Sequence, residues 1–231
     1  KGLKPVHWCS HCGTALAEAE IEYADDPCYS VYVKFEVTDD KGKLFSMGAV
    51  PGKTYVVIWT TTTWTLPANV AICLGPNFDY ALLKANREGE TEYYVVAKEL
   101  AANVMQEAGI EEYEIIGTVK GSELEYVECA HPFLDRKSIL ILGDHVTLDS
   151  GTGCVHTAPG HGMDDFMVVT QHYPEIPFTV PVDSEGRMTE EAGFSAGLTT
   201  DEASKVIAKH IHESGHLLAT KKLRHQYPHC W

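Results

Sequence analysis

Long apolar runs are missing from this chain: no stretch of its 231 residues approaches the ~20 consecutive apolar positions that a membrane-crossing helix needs. Nor does a basic, apolar, small-residue leader open it, so no membrane partner is expected. Cations are scarce. Lys+Arg number 18 against 33 Asp+Glu, a formal net charge of −15. A protein that grips a polyphosphate unaided normally shows a basic footprint, so this balance argues against strong independent binding of nucleic acid. The seven cysteines are odd in number and mostly scattered, which fits a reducing, cytoplasmic setting better than a disulfide framework. There is no internal repeat, low-complexity tract or glycine-rich phosphate loop, and ATP-dependent chemistry therefore has no place here. What remains is an ordinary 44% hydrophobic content, in a chain long enough to bury a sizeable core as one or two domains.

The densest local signal is Trp59-Thr60-Thr61-Thr62-Thr63-Trp64-Thr65-Leu66-Pro67-Ala68-Asn69, directly after the apolar run Tyr55-Val56-Val57-Ile58. β-branched residues suit an extended strand, which would hand its hydroxyls to the irregular segment ending at Pro67. A hydroxyl row can hold a polar ligand, since each hydroxyl both donates and accepts. Propensity alone also explains the run as a Thr-rich edge strand. The second signal is Gly151-Thr152-Gly153-Cys154-Val155-His156-Thr157-Ala158-Pro159-Gly160-His161-Gly162-Met163-Asp164-Asp165-Phe166. Asp164 and Asp165 fall in the first turn of a helix expected from Gly162, where free N–H groups and the macrodipole favour a carboxylate. Adjacent helical side chains diverge, so one of the pair faces a ligand at most, and capping accounts for the other. His161, between two glycines, shapes the turn.

Alternation of Val31, Val33, Phe35 and Val37 with Tyr32, Lys34 and Glu36 predicts a strand with one solvated face. Further strands are expected over 55–61, 69–74, 79–84, 92–97, 113–119, 138–142 and 153–157. Helices are expected over 98–108, stopped at Gly109, and 200–214, entered by the capping box Thr199/Glu202. On the latter, Ala203, Val206, Ile207 and Ile211 form the buried stripe, leaving His210 and His212 on the surface. Residues 38–51 read as a hairpin or loop, and 174–197 as a long surface connection. The sum is a β-rich α+β fold with a barrel-like core and a few peripheral helices. The expected division is a linker over 1–30, a body over 31–218, and a return strand over 219–231.

Cys9-Ser10-His11-Cys12-Gly13 is a Cys-x-x-Cys knuckle, and Cys230 lies at the other end. Zinc favours four tetrahedral ligands, commonly from two such knuckles. Cys9 and Cys12 make half a site, and Cys230 can open a second half that continues elsewhere; His11, His225 and His229 are possible substitutes. A shared metal would bring the two ends together, as in a domain inserted into another. The alternative is a pair of unrelated thiols.

Taken together, the threonine row and the Gly151–Phe166 segment resemble the editing domain of isoleucyl-tRNA synthetases over essentially the whole chain. The family pattern runs W-T-T-T-P-W-T-L-P-A-N, then G-T-G-x-V-H-T-A-P-G-H-G-x-D-D-[FY]. Thr63 departs from it, standing where proline is usual. The resemblance implies hydrolysis of valyl-tRNA(Ile), or of valyl-adenylate, by water attack on the ester. It makes Asp165 the anchor of the amino group, with Asp164 a weaker second. It gives Thr60, Thr61 and Thr62 hydroxyl contacts to ester, ribose or water; no base is placed to make one a nucleophile. His156 limits side-chain size, although an isolated histidine is more often structural. Trp64 and Asn69 border the nucleotide, Asn69 doubling as a strand-entry residue. A structural zinc, the tRNA 3′ end and the rest of the synthetase are the implied cofactor and partners. The need for such a site is energetic: one methylene is worth only ~1–3 kcal/mol in a pocket, isoleucine against valine being the standard instance. Two rival readings remain: a metal-dependent hydrolase using His156, His161, Asp164 and Asp165, or a non-catalytic RNA-binding or zinc-scaffold module.

Overall fold

The computed structural model describes residues 4–231. A small hairpin opens it, β1 (Trp8–Cys9) against β2 (Thr14–Ala15), followed by the longest strand, β3 (Ile21–Asp39). Then come β4 (Thr54–Thr60), β5 (Ala71–Leu74), β6 (Asp79–Arg87), β7 (Glu90–Ala97), α1 (Ala101–Glu107) and β8 (Tyr113–Lys120). The chain continues through β9 (Glu128–Ala130), β10 (Lys137–Leu142), β11 (Cys154–Thr157), α2 (Met163–His172), α3 (Thr200–Glu213) and β12 (Leu217–Cys230). Sheet dominates, with few helices, as the composition of strands implied.

One mixed sheet runs in the order β11-β5-β10-β9-β3-β4-β7-β6-β8, with β12 paired to β3 off this path. β10 with β5 and β4 with β7 are parallel; the other pairs are antiparallel. Among the described residues β11 and β8 do not pair, so the expected barrel-like core is corrected to an open sheet. β3 links the two halves: it pairs with β4 over Val31–Glu36 and passes to β9 at Val37 and Asp39. Its first half forms a two-stranded ribbon with β12, from Cys230 opposite Ile21 to Leu217 opposite Val33.

The solvated face expected of β3 is not solvated. Tyr32 and Lys34 are as buried as Val33 and Phe35, because the strand lies inside the sheet and is covered on both sides. Lys34 keeps a charge partner, its ammonium 2.8 Å from the Glu92 carboxylate and 4.5 Å over the Tyr55 ring. Tyr94 donates its phenol to the same carboxylate. Burial lowers the Lys34 pKa and Glu92 holds it up, the arrangement a buried cation requires.

α1 is preceded by a 3-10 turn over Lys98–Leu100 and ends at Gly109, whose φ of +67° suits glycine. The capping box of α3 forms: the Thr199 hydroxyl accepts from the Glu202 N–H, and Glu202 accepts from the Thr199 N–H at 2.9 Å. Ala203, Ile207 and Ile211 are buried, but Val206 sits outside the stripe and is exposed. The 174–197 connection is more than surface cover. Met188, Ala192 and Ser195 are buried, and isolated bridges tie Val182 to Met188 and Arg187 to Thr199.

Candidate functional site

β4 ends at Thr60, and the row then turns sharply. The Thr60 hydroxyl accepts the Thr62 N–H at 3.0 Å, closing a local turn. That bond ties the hydroxyl to the backbone, and Thr60 is not among the residues lining the adjoining groove. Thr63 opens a short 3-10 helix, Thr63–Ala68, and donates its hydroxyl to the Ser204 carbonyl of α3 at 2.9 Å. Thr61 and Thr62 line a groove of about 930 Å³ whose walls include Trp64, Tyr29, Tyr227 and Lys205. Sequence reasoning missed Tyr227. Its phenol donates to the Thr61 carbonyl at 3.0 Å across 166 positions of chain, a contact that only the β3–β12 pairing brings about.

His156 sits opposite Ile72 where β11 pairs with β5, and it joins the two sequence motifs. One terminal atom of the Asn69 amide lies 2.9 Å from the Ala71 carbonyl and 2.8 Å from His156 Nδ1. A carbonyl only accepts, so that atom is the NH₂ nitrogen, and Nδ1 must accept from it. The ring proton then sits on Nε2 and donates to the Thr65 hydroxyl at 3.1 Å, which donates on to the Thr62 carbonyl at 2.8 Å. Burial, with His161 and Arg136 nearby, pushes the His156 pKa down to about 3. It is a neutral, fixed imidazole. Asn69 is fully buried with its NH₂ committed, so its structural role displaces the expected contact with a nucleotide.

Asp165 lies in the first turn of α2, capped by Gly162. Its Oδ2 accepts the Ala158 N–H at 2.9 Å, two residues beyond His156. A Cβ on Gly162 would fall 2.6 Å from that oxygen, so the close approach requires glycine. Burial raises the Asp165 pKa; the Ala158 N–H and His145 oppose the shift. Between the motifs, the Trp64 and His161 rings meet edge to face at 5.1 Å. Among the described residues His161 Nε2 is buried without a partner, and burial holds its pKa down to about 4. Asp164 is exposed and lines a different cavity of about 590 Å³ with Glu125, His145 and Tyr173. Like Asp165 and His156, it is not among the residues lining the threonine groove.

Sulfur chemistry is gathered elsewhere. The thiols of Cys9, Cys12 and Cys230 lie within 4.8 Å of one another, a donor set that can hold a metal ion. The Cys12 N–H lowers the Cys9 pKa, whereas the neighbouring thiols push Cys230 up to about 11. His229 is turned away to Asp26 at 2.8 Å, and His225 packs on Tyr227. Among the described residues no other Cys, His, Asp and Glu cluster comes this close, so His156, His161, Asp164 and Asp165 do not form a metal centre. The metal-hydrolase reading fails on that geometry.

Comparison with known proteins identifies the sequence. It is 56% identical to the isoleucine–tRNA ligase of Caldicellulosiruptor saccharolyticus over 100% of this chain and 24% of that protein. The figures are 52% for the same ligase of Caldanaerobacter subterraneus and 50% for that of Moorella thermoacetica, with the same coverage. By sequence, the whole chain matches a segment of the isoleucine–tRNA ligases. It spans about a quarter of the length of these curated ligases. No protein-family model matches it. The fold is shared with the P. knowlesi cytosolic leucyl-tRNA synthetase editing domain, at TM-score 0.66 and 12% identity over 82% of this chain and 95% of that one. The P. falciparum counterpart gives TM-score 0.62 and 12% identity over 82% and 98%. At such identities the likeness is one of fold. No helix among the described residues is long and apolar enough to cross a membrane.

Proposed function

We propose that this segment is the proofreading domain of an isoleucine–tRNA ligase, hydrolysing valine from valyl-tRNA(Ile) in the cytoplasm. The observation that carries the reading is the junction at His156. There the helix that follows the threonine row meets the loop leading to Asp165; Trp64 of that helix also lines the groove with Thr61 and Thr62, while His156 and Asp165 stand outside its lining. An aminoacyl ester presents an ammonium, a carbonyl and vicinal hydroxyls. Asp165, half-buried and short of a cation, suits the ammonium through charge-assisted hydrogen bonds. Thr61 and Thr62 offer hydroxyls to the ester, the ribose or a water, and Trp64 offers a stacking face for the base. A neutral His156, fixed at both ring nitrogens, acts by volume and excludes the larger isoleucine side chain. The rate comes from holding a water beside the ester with a ribose hydroxyl assisting, rather than from a protein nucleophile.

Residues 31–218 constitute the proofreading body in this reading, with 219–231 returning along the ribbon to the rest of the ligase. The three thiols suit zinc, a borderline-soft ion that takes thiolates readily, and such an ion would pin the ribbon ends. Cys9, Cys12 and Cys230 would hold it in a structural role, and none of the three lines the groove.

Deacylation of valyl-tRNA(Ile) by the 231-residue chain tests the proposal. Asp165→Ala should slow it roughly tenfold to hundredfold, the equivalent of about 1.5–3 kcal/mol for hydrogen bonds to a charged group. Unchanged turnover would remove Asp165 from substrate binding. No turnover by the wild-type chain, with circular dichroism reporting a folded protein, would overturn the hydrolytic reading for this segment.

A further inference from the structure

Charge is distributed unevenly over an acidic molecule. Lys221, Lys222 and Arg224 place three of the chain's 18 Lys and Arg within four positions of β12, next to His225. Lys221 is committed to Glu107 of α1. Among the described residues Lys222 and Arg224 have no carboxylate partner, and neither has Lys205 on the groove wall of α3. The Lys222 ammonium stands 5.6 Å over the ring of Tyr29.

Register fixes where these cations lie. In β12, Thr220 is opposite Val31, Lys222 opposite Tyr29 and Arg224 opposite Pro27. Directly opposed residues of an antiparallel pair share a face. Thr220, Val31, Tyr29 and Pro27 line the groove from this face, and Asp26, Cys28, Tyr227 and His229 from the other, so Lys222 and Arg224 stand on one of the two ribbon faces that border it. Two residues along a strand are about 6.7 Å apart, a spacing comparable to successive phosphates of an extended nucleotide chain. Beyond Arg224 the charge reverses. Asp25 is opposite Gln226 on the same face, and Asp201 closes the strip at the start of α3. The strip therefore matches about two phosphates, which suits a single-stranded tail and not a duplex. The half-exposed ring of Tyr29 supplies a stacking surface of the kind single-strand binders use.

We propose that Lys222, Arg224 and Lys205 form the rim along which the sugar–phosphate backbone of a single-stranded RNA 3′ segment enters the groove. This rests on the proofreading reading, in which the reactive ester is at the end of such a tail. It also explains how a chain of net charge −15 can receive RNA: the contact is local and short.

The test uses the full chain and a fluorescein-labelled RNA hairpin carrying a short single-stranded 3′ tail, titrated by anisotropy across a range of NaCl concentrations. The Lys222→Glu/Arg224→Glu double variant should weaken binding about tenfold or more, and Lys222→Gln/Arg224→Gln should lower the salt slope by about 0.7 per cation removed. A blunt hairpin without the tail should bind the wild type no better than the tailed hairpin binds the Glu variant. Binding of either variant within twofold of wild type, or equal binding of the blunt hairpin, overturns the proposal. Hydrolysis of a phosphate-free valyl-adenosine ester by the wild-type chain reports the proofreading chemistry separately. If that ester is cleaved while the charge variants bind normally, the rim falls and the hydrolytic reading stands.

Discussion

Asp165 is where burial and charge oppose each other most directly. Its carboxylate has one backbone donor, from Ala158, and burial raises its pKa. A carboxyl whose folded pKa exceeds its unfolded value of about 3.9 stabilises the fold below that value, and the benefit is lost as pH rises through the folded pKa. Asparagine can still accept from Ala158 and does not titrate. Asp165→Asn should therefore gain stability relative to wild type as pH rises above about 4 in thermal unfolding, even as it loses the proposed ammonium contact. A difference that does not change with pH would show that burial does not strain the ionised form. The sequence placed Asp165 by the helix-start logic of Gly162, and that logic was local. It could not separate Asp165 from Asp164, because only the helix's orientation sends one carboxylate to Ala158 and the other into a different cavity. The fate of Thr60 and Asn69 was equally hidden. Each is a polar side chain spent on a backbone group within two residues of its own position, a local competition that composition does not reveal.

Strands and helices were legible wherever period and punctuation agreed. β6, β7, β8 and β10 begin within two residues of their expected starts, and the Thr199/Glu202 box does cap α3. Coverage by other elements was not legible. Tyr32 and Lys34 alternate like solvated positions and are buried, because burial on the second face depends on distant chain. Thr63 shows the same dependence in a useful form. It opens the Thr63–Ala68 helix, where a backbone N–H is free in any case, so replacing the usual proline sacrifices no helical bond. Its hydroxyl instead ties this helix to α3 through Ser204. Thr63→Val, which keeps the branch and removes that bond, should lower stability by about 1 kcal/mol. Thr63→Pro also removes it, but a pre-set φ returns about 0.4–1 kcal/mol through the unfolded state. Urea denaturation should thus find the proline variant closer to wild type than the valine one. The reverse order would mean that the backbone at Thr63 does not suit proline, and a valine variant as stable as wild type would mean that the hydroxyl contact contributes nothing.

At the scale of the whole molecule, the two chain regions farthest apart in sequence meet at one end of the ribbon. Cys230 pairs in register opposite Ile21, which carries its thiol to within 3.9 Å of Cys12. The sequence offered the knuckle and the isolated cysteine; that they share a site follows only from fourteen residues of β12 running antiparallel to β3. Three thiolates leave one tetrahedral position to water or to another ligand; His229 and His225 are engaged with Asp26 and Tyr227, and His11 lies within the knuckle itself. Preferential binding to the folded ribbon would raise stability by mass action, since only folding brings Cys230 to Cys9 and Cys12. Added Zn²⁺ should bind at one equivalent per chain, raise the unfolding temperature, and lose both effects in Cys9→Ser or Cys230→Ser. Chelation should reverse the thermal shift while leaving hydrolysis of a valyl ester intact, because Thr61, Thr62 and Asp165 lie outside the thiol site. Loss of hydrolysis on chelation would place a metal in the reaction itself and would sink the separation of scaffold from chemistry on which the proposed mechanism depends.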